Sequence, residues 1–317
     1  MARLILHIGT HKTGTTAIQN WLASRTRDLA REGWHYGATD RPPYPWNNKH
    51  NSLFSALREE RFEGELQAIL ADHAASGLPN LILSEEGLSL PCFVKFRAVR
   101  ALARHYDITV VALFRRQDLF IESFWNQMCK QGNCGRNLET FATTDWNRRR
   151  MDYASLLDFW AGFTRIRAAA YQPGHPGGAV AQFLDAAELP LDPGPRRLSN
   201  PSVSMNVAAL LCWLNGHRMS WLTPPSVVLF SADRQKYGLG RRLRRQILAE
   251  QEAGNARLRD HYGICFPEVF PDEPEEPITV PDPAALLRAV LRLPTERTIA
   301  AGLLRETRLL TRKREPR

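Results

Sequence analysis

The chain lacks any run of apolar residues approaching the about 18 that a membrane-spanning helix needs, which excludes a helical membrane anchor as its organising element. Its early apolar run, residues 4–8, is short and leads into a loop rather than a cleavage site, the pattern of a soluble, unexported, cytoplasmic chain. Cysteine is scarce. The five present (Cys92, Cys129, Cys134, Cys212, Cys265) are scattered, odd in number and without a CxxC pair, which fits a reducing compartment better than a disulfide scaffold. Cys129 and Cys134 have no second Cys or His pair at metal-site spacing beside them, so no metal is expected. No internal repeat is present.

What is present suffices for a large folded body: 317 residues, 44% of them hydrophobic. The net charge of +9 favours anionic partners. Yet the basic clusters at residues 148–150, 241–245 and 312–314 are separate, and no nucleic-acid motif surrounds them. A charged nucleotide or an acidic glycan accounts for the same excess, so nucleic acid is not the expected partner. Four β-like runs stand out, at residues 4–8, 80–84, 108–114 and 165–171. Helical patterns separate them, among them residues 16–31, 67–75 and 119–131. Strand and helix in alternation predict an α/β fold with a central, mostly parallel sheet flanked by helices, and ligands then bind beyond the carboxyl ends of the strands.

Residues 33–50 read as a long loop or lid, because their prolines and glycines forbid a continuous helix; Trp34, Tyr36, Tyr44 and Trp46 are placed to stack on a sugar or to anchor the loop. Residues 202–215 and 239–262 read as helices, the second long and basic. The expected domain layout is a catalytic body over 1–270, a Pro/acidic connector over 271–283, and a basic, helix-prone tail over 284–317 that is either solvated or in contact with an acidic membrane surface or partner.

The most informative segment follows the first strand: Gly9-Thr10-His11-Lys12-Thr13-Gly14-Thr15-Thr16. A strand, a Gly/Thr turn and then a helix present backbone N–H groups and a positive helix end, an arrangement suited to phosphate or sulfate. A nucleotide-triphosphate loop places its lysine directly after the second glycine and follows it with Ser or Thr. Here Thr15 holds that position and Lys12 lies mid-loop. The segment resembles the 5'-phosphosulfate loop of sulfotransferases that use 3'-phosphoadenosine 5'-phosphosulfate (PAPS).

A second segment supports the resemblance. Arg115 ends the strand at 108–114 and Ser123 follows eight residues later on a helix, similar to the family's 3'-phosphate motif, with Arg116 a weaker candidate. Arginine offers planar, multi-donor recognition of a dianionic phosphate, which a serine hydroxyl completes. Weaker echoes in residues 152–160, 166–171, 180–184, 200–204, 214–215 and 255–267 extend the similarity over about residues 3–270. One departure is Ala17, where many cytosolic members carry a tryptophan that stacks on adenine.

The resemblance implies a P-loop-like sulfotransferase fold and transfer of a sulfuryl group from PAPS, by in-line displacement, to a hydroxyl or amine of a glycan, glycolipid or small metabolite. Lys12 then stabilises charge on the leaving bridging oxygen, and Thr13, Gly14, Thr15 and Thr16 cradle the 5'-phosphate, with Arg115 and Ser123 on the 3'-phosphate. The acceptor needs a general base. Glu86, just past the strand at 80–84, stands where many cytosolic members carry a histidine and is preferred. His50 lies where glycosaminoglycan-type members place a glutamate and is the second candidate. Glu85 is expected to point the other way if the strand continues, and His11 to face the cofactor. The rival readings are a P-loop kinase, disfavoured by the displaced lysine, and a non-catalytic basic scaffold for acidic polymers.

Overall fold

A computed structural model describes residues 1–39, 48–58, 61–90, 96–195, 202–223, 234–268, 270–271, 273 and 275–279. Tyr44, Trp46, Cys92, the tail over 284–317 and part of the connector over 271–283 therefore lie outside the described residues. In chain order the elements are β1 (Ala2–Gly9), α1 (Thr15–Ser24), α2 (Thr26–Arg31), β2 (Trp34–Tyr36), α3 (Asn51–Arg58), α4 (Phe62–Ser76), β3 (Asn80–Ser84), α5 (Phe96–Ala103), β4 (Tyr106–Phe114) and α6 (Gln117–Lys130). There follow α7 (Leu138–Ala142), α8 (Asp145–Met151), α9 (Tyr153–Ala161), β5 (Arg165–Ala170), α10 (Gly178–Ala187), α11 (Met205–Gly216), α12 (Arg241–Glu250) and α13 (Glu252–Tyr262). Two compact units divide the chain. One is drawn from Met1–Arg116, Arg150–Asn200 and Gln251–Pro267, and the other from Gln117–Arg149, Pro201–Glu250 and Glu268–Arg317.

The first unit holds an all-parallel, five-stranded sheet in the order β2-β3-β1-β4-β5, flanked by helices. β1 is central, pairing Leu4 with Leu81 on one side and with Ile108 on the other. Because helices cover both faces, the inner strands are apolar almost throughout rather than alternating. Leu4, Leu6, Ile8, Val110, Ala112 and Phe114 face a core closed by α4, α9 and α13, where Trp160 is fully buried. Ile5, Val111 and Leu113 face the opposite core, against Ile18 and Leu22 of α1 and Phe183 of α10.

The four strand runs expected from the sequence are all found. β2 was read as loop: it is three residues long and begins directly after Gly33, whose positive φ makes the turn. The helix expected over 16–31 is broken at Arg25 into α1 and α2, and the basic helix over 239–262 at Gln251 into α12 and α13.

In the second unit α6 packs against α11, α7 and α12. Buried Arg244 of α12 forms ion pairs with Asp118, Glu122 (3.1 Å) and Glu273. Glu273 lies in the segment read as a connector, so part of that segment is a fixed piece of this unit. Its oxygens also accept from the Gly240 N–H at 3.2 Å and from Arg244 at 2.9 Å.

Gly14 caps α1 with φ of 84°, and a Cβ added there would stand well inside contact distance of Ala179 Cβ on α10. Gly14→Ala is therefore expected to destabilise the protein by about 1–3 kcal/mol through overpacking and left-handed strain. Adding Ala179→Gly in the same chain should restore part of that loss in urea denaturation; an unchanged midpoint in the single variant would refute the packing.

Candidate functional site

The carboxyl edge of the sheet gathers the loop after β1, the end of β3 and the start of the chain beyond β4 and β5. The loop is tied to β4: Thr10 donates to the Leu113 carbonyl through its N–H at 3.0 Å and its hydroxyl at 3.2 Å. Thr13 is fully buried and its hydroxyl donates to the Thr10 carbonyl at 2.6 Å. The Thr13 side chain is thus spent inside the loop. Lys12 has a φ of 68°, the left-handed region that a non-glycine residue seldom adopts. Helix α1 opens at Gly14, whose carbonyl accepts from Ala17 and Ile18. The backbone N–H groups of Thr13, Gly14, Thr15 and Thr16 have no acceptor among the described residues. Four N–H groups without acceptors at a helix start are the arrangement that binds anions. Tyr171, just past β5, sets its hydroxyl 4.0 Å from where a Gly14 Cβ would be.

Glu86 is in direct contact with this loop, since a Cβ on Gly9 would lie 2.9 Å from Glu86 Cβ. Its Oε1 accepts from Lys49 Nζ at 2.9 Å and its Oε2 from Gln19 Nε2 at 2.8 Å. Glu85 does not point the other way. The strand ends at Ser84, and a 3-10 helix over Glu86–Ser89 follows, so Glu85 also reaches Lys49, at 3.7 Å, while its Oε1 caps the Gly87 N–H at 2.9 Å. Glu85 Oε2 is buried without a hydrogen-bond partner among the described residues.

The two carboxylates are driven apart. Burial, and then the neighbouring Glu86 charge, push the Glu85 carboxyl well above its usual range. Burial acts upward on Glu86 too, but Lys49, His11 and the Gln19 hydrogen bond outweigh it and hold that carboxyl below its usual range. For Lys49 itself, burial favours the neutral form, but Glu85 and Glu86 outweigh it and raise its pKa. Burial pushes His11 down to about 4 against an opposing pull from Glu86, so its ring is neutral near pH 7.

His50 is buried, with Nδ1 accepting from the Ser84 N–H at 3.0 Å and Nε2 set 3.0 Å from the Gly37 carbonyl, to which it donates. Both ring nitrogens serve the backbone, which is the geometry of a brace between residues 37 and 84. Beneath the loop His7 Nδ1 lies 2.7 Å from Ser84 Oγ, which also accepts from Gln19 at 3.2 Å.

Arg115 follows β4 directly, half-buried, with its carbonyl accepting from the Tyr153 hydroxyl at 3.0 Å. Arg116 is buried and its guanidinium donates to the Pro267 carbonyl, a structural engagement. Ser123 lies half-buried on α6, in the second unit, whereas Arg115 belongs to the first. The structure thus brings Lys12, the cradle and Glu86 together in one unit. The structure adds Lys49, Gln19 and Tyr171 to this group, and Glu85, expected on the other side, joins it at Lys49. Lys49 adjoins His50 in the sequence, and Gln19 lies one helical turn from Thr15 and Thr16 on α1.

A groove of about 800 Å³ begins beside the loop, between α1, α2 and the start of α10. Ala17, Asn20 and Trp21 line it along one face of α1, with Arg25, Arg31 and Val180 further on. Trp21 Nε1 is buried with no hydrogen-bond partner among the described residues.

No protein-family model matches the chain, and a search of curated proteins returns no match. No described helix is long and apolar enough to cross a membrane, and among the described residues no group of three or more His, Cys, Asp or Glu side chains is arranged to hold a metal ion.

An acid whose pKa is raised on folding makes the folded state lose stability as pH climbs from the unfolded value, 4.5, through the folded one. Glu85→Gln removes that loss while keeping the acceptor for the Gly87 N–H. Its stability relative to the parent is expected to rise between about pH 5 and pH 8 in parallel denaturation series; a pH-independent difference would show that Glu85 is not held protonated.

Proposed function

We propose that the protein is a PAPS-dependent sulfotransferase with a P-loop-like sulfotransferase fold. It acts on a hydroxyl or amine of a glycan, glycolipid or small metabolite. The observation that carries this reading is Lys12 held in the middle of a loop whose four following N–H groups lack acceptors among the described residues, with a carboxylate packed against the first glycine. The nucleotide donor, when bound, supplies an activated sulfuryl group beside a 5'-phosphate. The N–H groups of residues 13–16 and the α1 N-terminus bind that phosphate, and Lys12 donates to the bridging oxygen as negative charge builds there. Thr15 and Thr16, with hydroxyls that have no partner among the described residues, complete the cradle.

Glu86 is the proposed base because it is the carboxylate that touches the loop, and Lys49 and Gln19 keep it ionised and oriented. His50 supports the site by bracing the backbone of Ser84, one residue from the carboxylate pair. The groove beside Ala17 has room for the purine that many cytosolic family members stack on tryptophan. Arg115, which follows β4 at the carboxyl edge of the sheet, is proposed for the 3'-phosphate. A kinase reading has less support, since Thr15 occupies the position where a kinase loop carries its lysine.

The test is transfer of radiolabelled sulfur from PAPS onto a panel of hydroxyl and amine acceptors. On an acceptor so identified, Lys12→Ala is expected to cut turnover by roughly 100- to 1000-fold, the usual loss for removing one preorganised donor to a developing oxyanion. Arg115→Ala should chiefly weaken PAPS binding. Near-normal turnover in Lys12→Ala would contradict the assigned role, and no transfer to any acceptor would count against the activity.

A further inference from the structure

Three cysteines that the sequence leaves scattered converge in the second unit. Cys129 lies in the last turn of α6, Cys134 in the turn that follows, and Cys212 on α11, all three as free thiols. The turn is fastened to α11: Asn215 Nδ2 donates to the Cys129 carbonyl at 2.9 Å and to the Cys134 carbonyl at 3.0 Å. Gly135 rests on Gly216, where an added Cβ would lie 2.7 Å from Gly216 Cα. One acceptor gathers the sulfurs, because the Arg136 carbonyl lies 3.4 Å from Cys134 Sγ and 3.0 Å from Cys212 Sγ, with Trp125 Nε1 at 2.9 Å. Cys129 is fully enclosed, whereas Cys134 and Cys212 retain 6% and 5% exposure.

We propose that Cys134 and Cys212 form a peroxide-responsive dithiol, with Cys134 as the attacking sulfur and Cys212 as the one that closes the disulfide. Nothing in this depends on the sulfotransferase reading. Hydrogen bonds from Cys129 and Cys212, and then the Arg136 N–H and charge, favour the Cys134 thiolate over the opposing effect of burial, while the other two thiols are pushed up. In the first step the Cys134 thiolate attacks one oxygen of hydrogen peroxide. The O–O bond breaks, a sulfenic acid forms, and the other oxygen leaves as hydroxide, which takes up a proton to become water. Cys212 sulfur then attacks the sulfenic sulfur, the S–O bond breaks, and a second water departs with the thiol proton. Two thiols and one peroxide thus give one disulfide and two waters, and a small dithiol returns the pair to the reduced state. The near-complete burial of both residues selects for a small oxidant, so oxidised glutathione should not react there.

The test treats the folded, full-length chain with hydrogen peroxide, then denatures it, blocks the remaining thiols and maps the peptides. Thiols counted in denaturant are expected to fall from five to three, with a Cys134–Cys212 linked peptide that dithiothreitol reverses. In Cys212→Ser the sulfenic acid should persist at Cys134 and be trapped by dimedone, a readout that does not require Cys134 to be replaced. Loss of thiols only at Cys92 or Cys265 would overturn the proposal. So would a Cys129–Cys134 peptide as the main product, or a glutathione adduct on Cys134.

Discussion

A turn of four residues between the central strand and the first helix closes only because glycine stands at both ends of it. Gly9 and Gly14 both have positive φ, one against Glu86 and the other against Ala179 of α10. Any larger residue at Gly9 would push the carboxylate away from the loop, and at Gly14 would separate α1 from α10. The double hydrogen bond from Thr10 to the Leu113 carbonyl then fixes the turn to β4. With the turn held on three sides, the N–H groups of residues 13–16 are left without acceptors among the described residues at the carboxyl edge of the sheet, the edge where parallel α/β sheets bind ligands. The chemistry proposed for Lys12 rests on this closure.

The charge arrangement beside the turn follows from where β3 stops. Had the strand continued, Glu85 and Glu86 would alternate across the sheet. A 3-10 turn instead brings both carboxylates toward Lys49, and one ammonium cannot neutralise two buried acids equally. Glu86, closer to Lys49 and hydrogen-bonded by Gln19, takes the ionised role. Glu85, with one oxygen unpartnered among the described residues, is left with the higher proton affinity. An ionised, oriented carboxylate thus meets the phosphate loop. His50, the other residue considered for base chemistry, spends both ring nitrogens on backbone groups.

Much of the fold was legible because the inner strands of a parallel sheet are apolar on both faces, so the runs at residues 80–84 and 108–114 announce themselves without alternation. β2 was not legible: a three-residue strand has too little pattern to stand out from a loop rich in glycine and proline. The breaks at Arg25 and Gln251 carry no Gly or Pro signal either. In the site, Lys12 and the cradle were readable because loop, spacing and helix are contiguous. Lys49 and Gln19 were not, nor was the side to which Glu85 turns, since what joins them is an ion-pair geometry set by the end of β3. The same limit applies to Cys134 and Cys212, which lie far apart in sequence and meet only through the packing of α6 on α11.

The most direct measurement of the central claim is calorimetric titration of the full-length protein with 3',5'-ADP, the desulfated product of PAPS, beside 5'-AMP and ATP with magnesium. The account predicts tight binding of 3',5'-ADP, much weaker binding of 5'-AMP, and little response to ATP with magnesium. Selective binding of ATP with magnesium, or equal affinity for 5'-AMP and 3',5'-ADP, would contradict it.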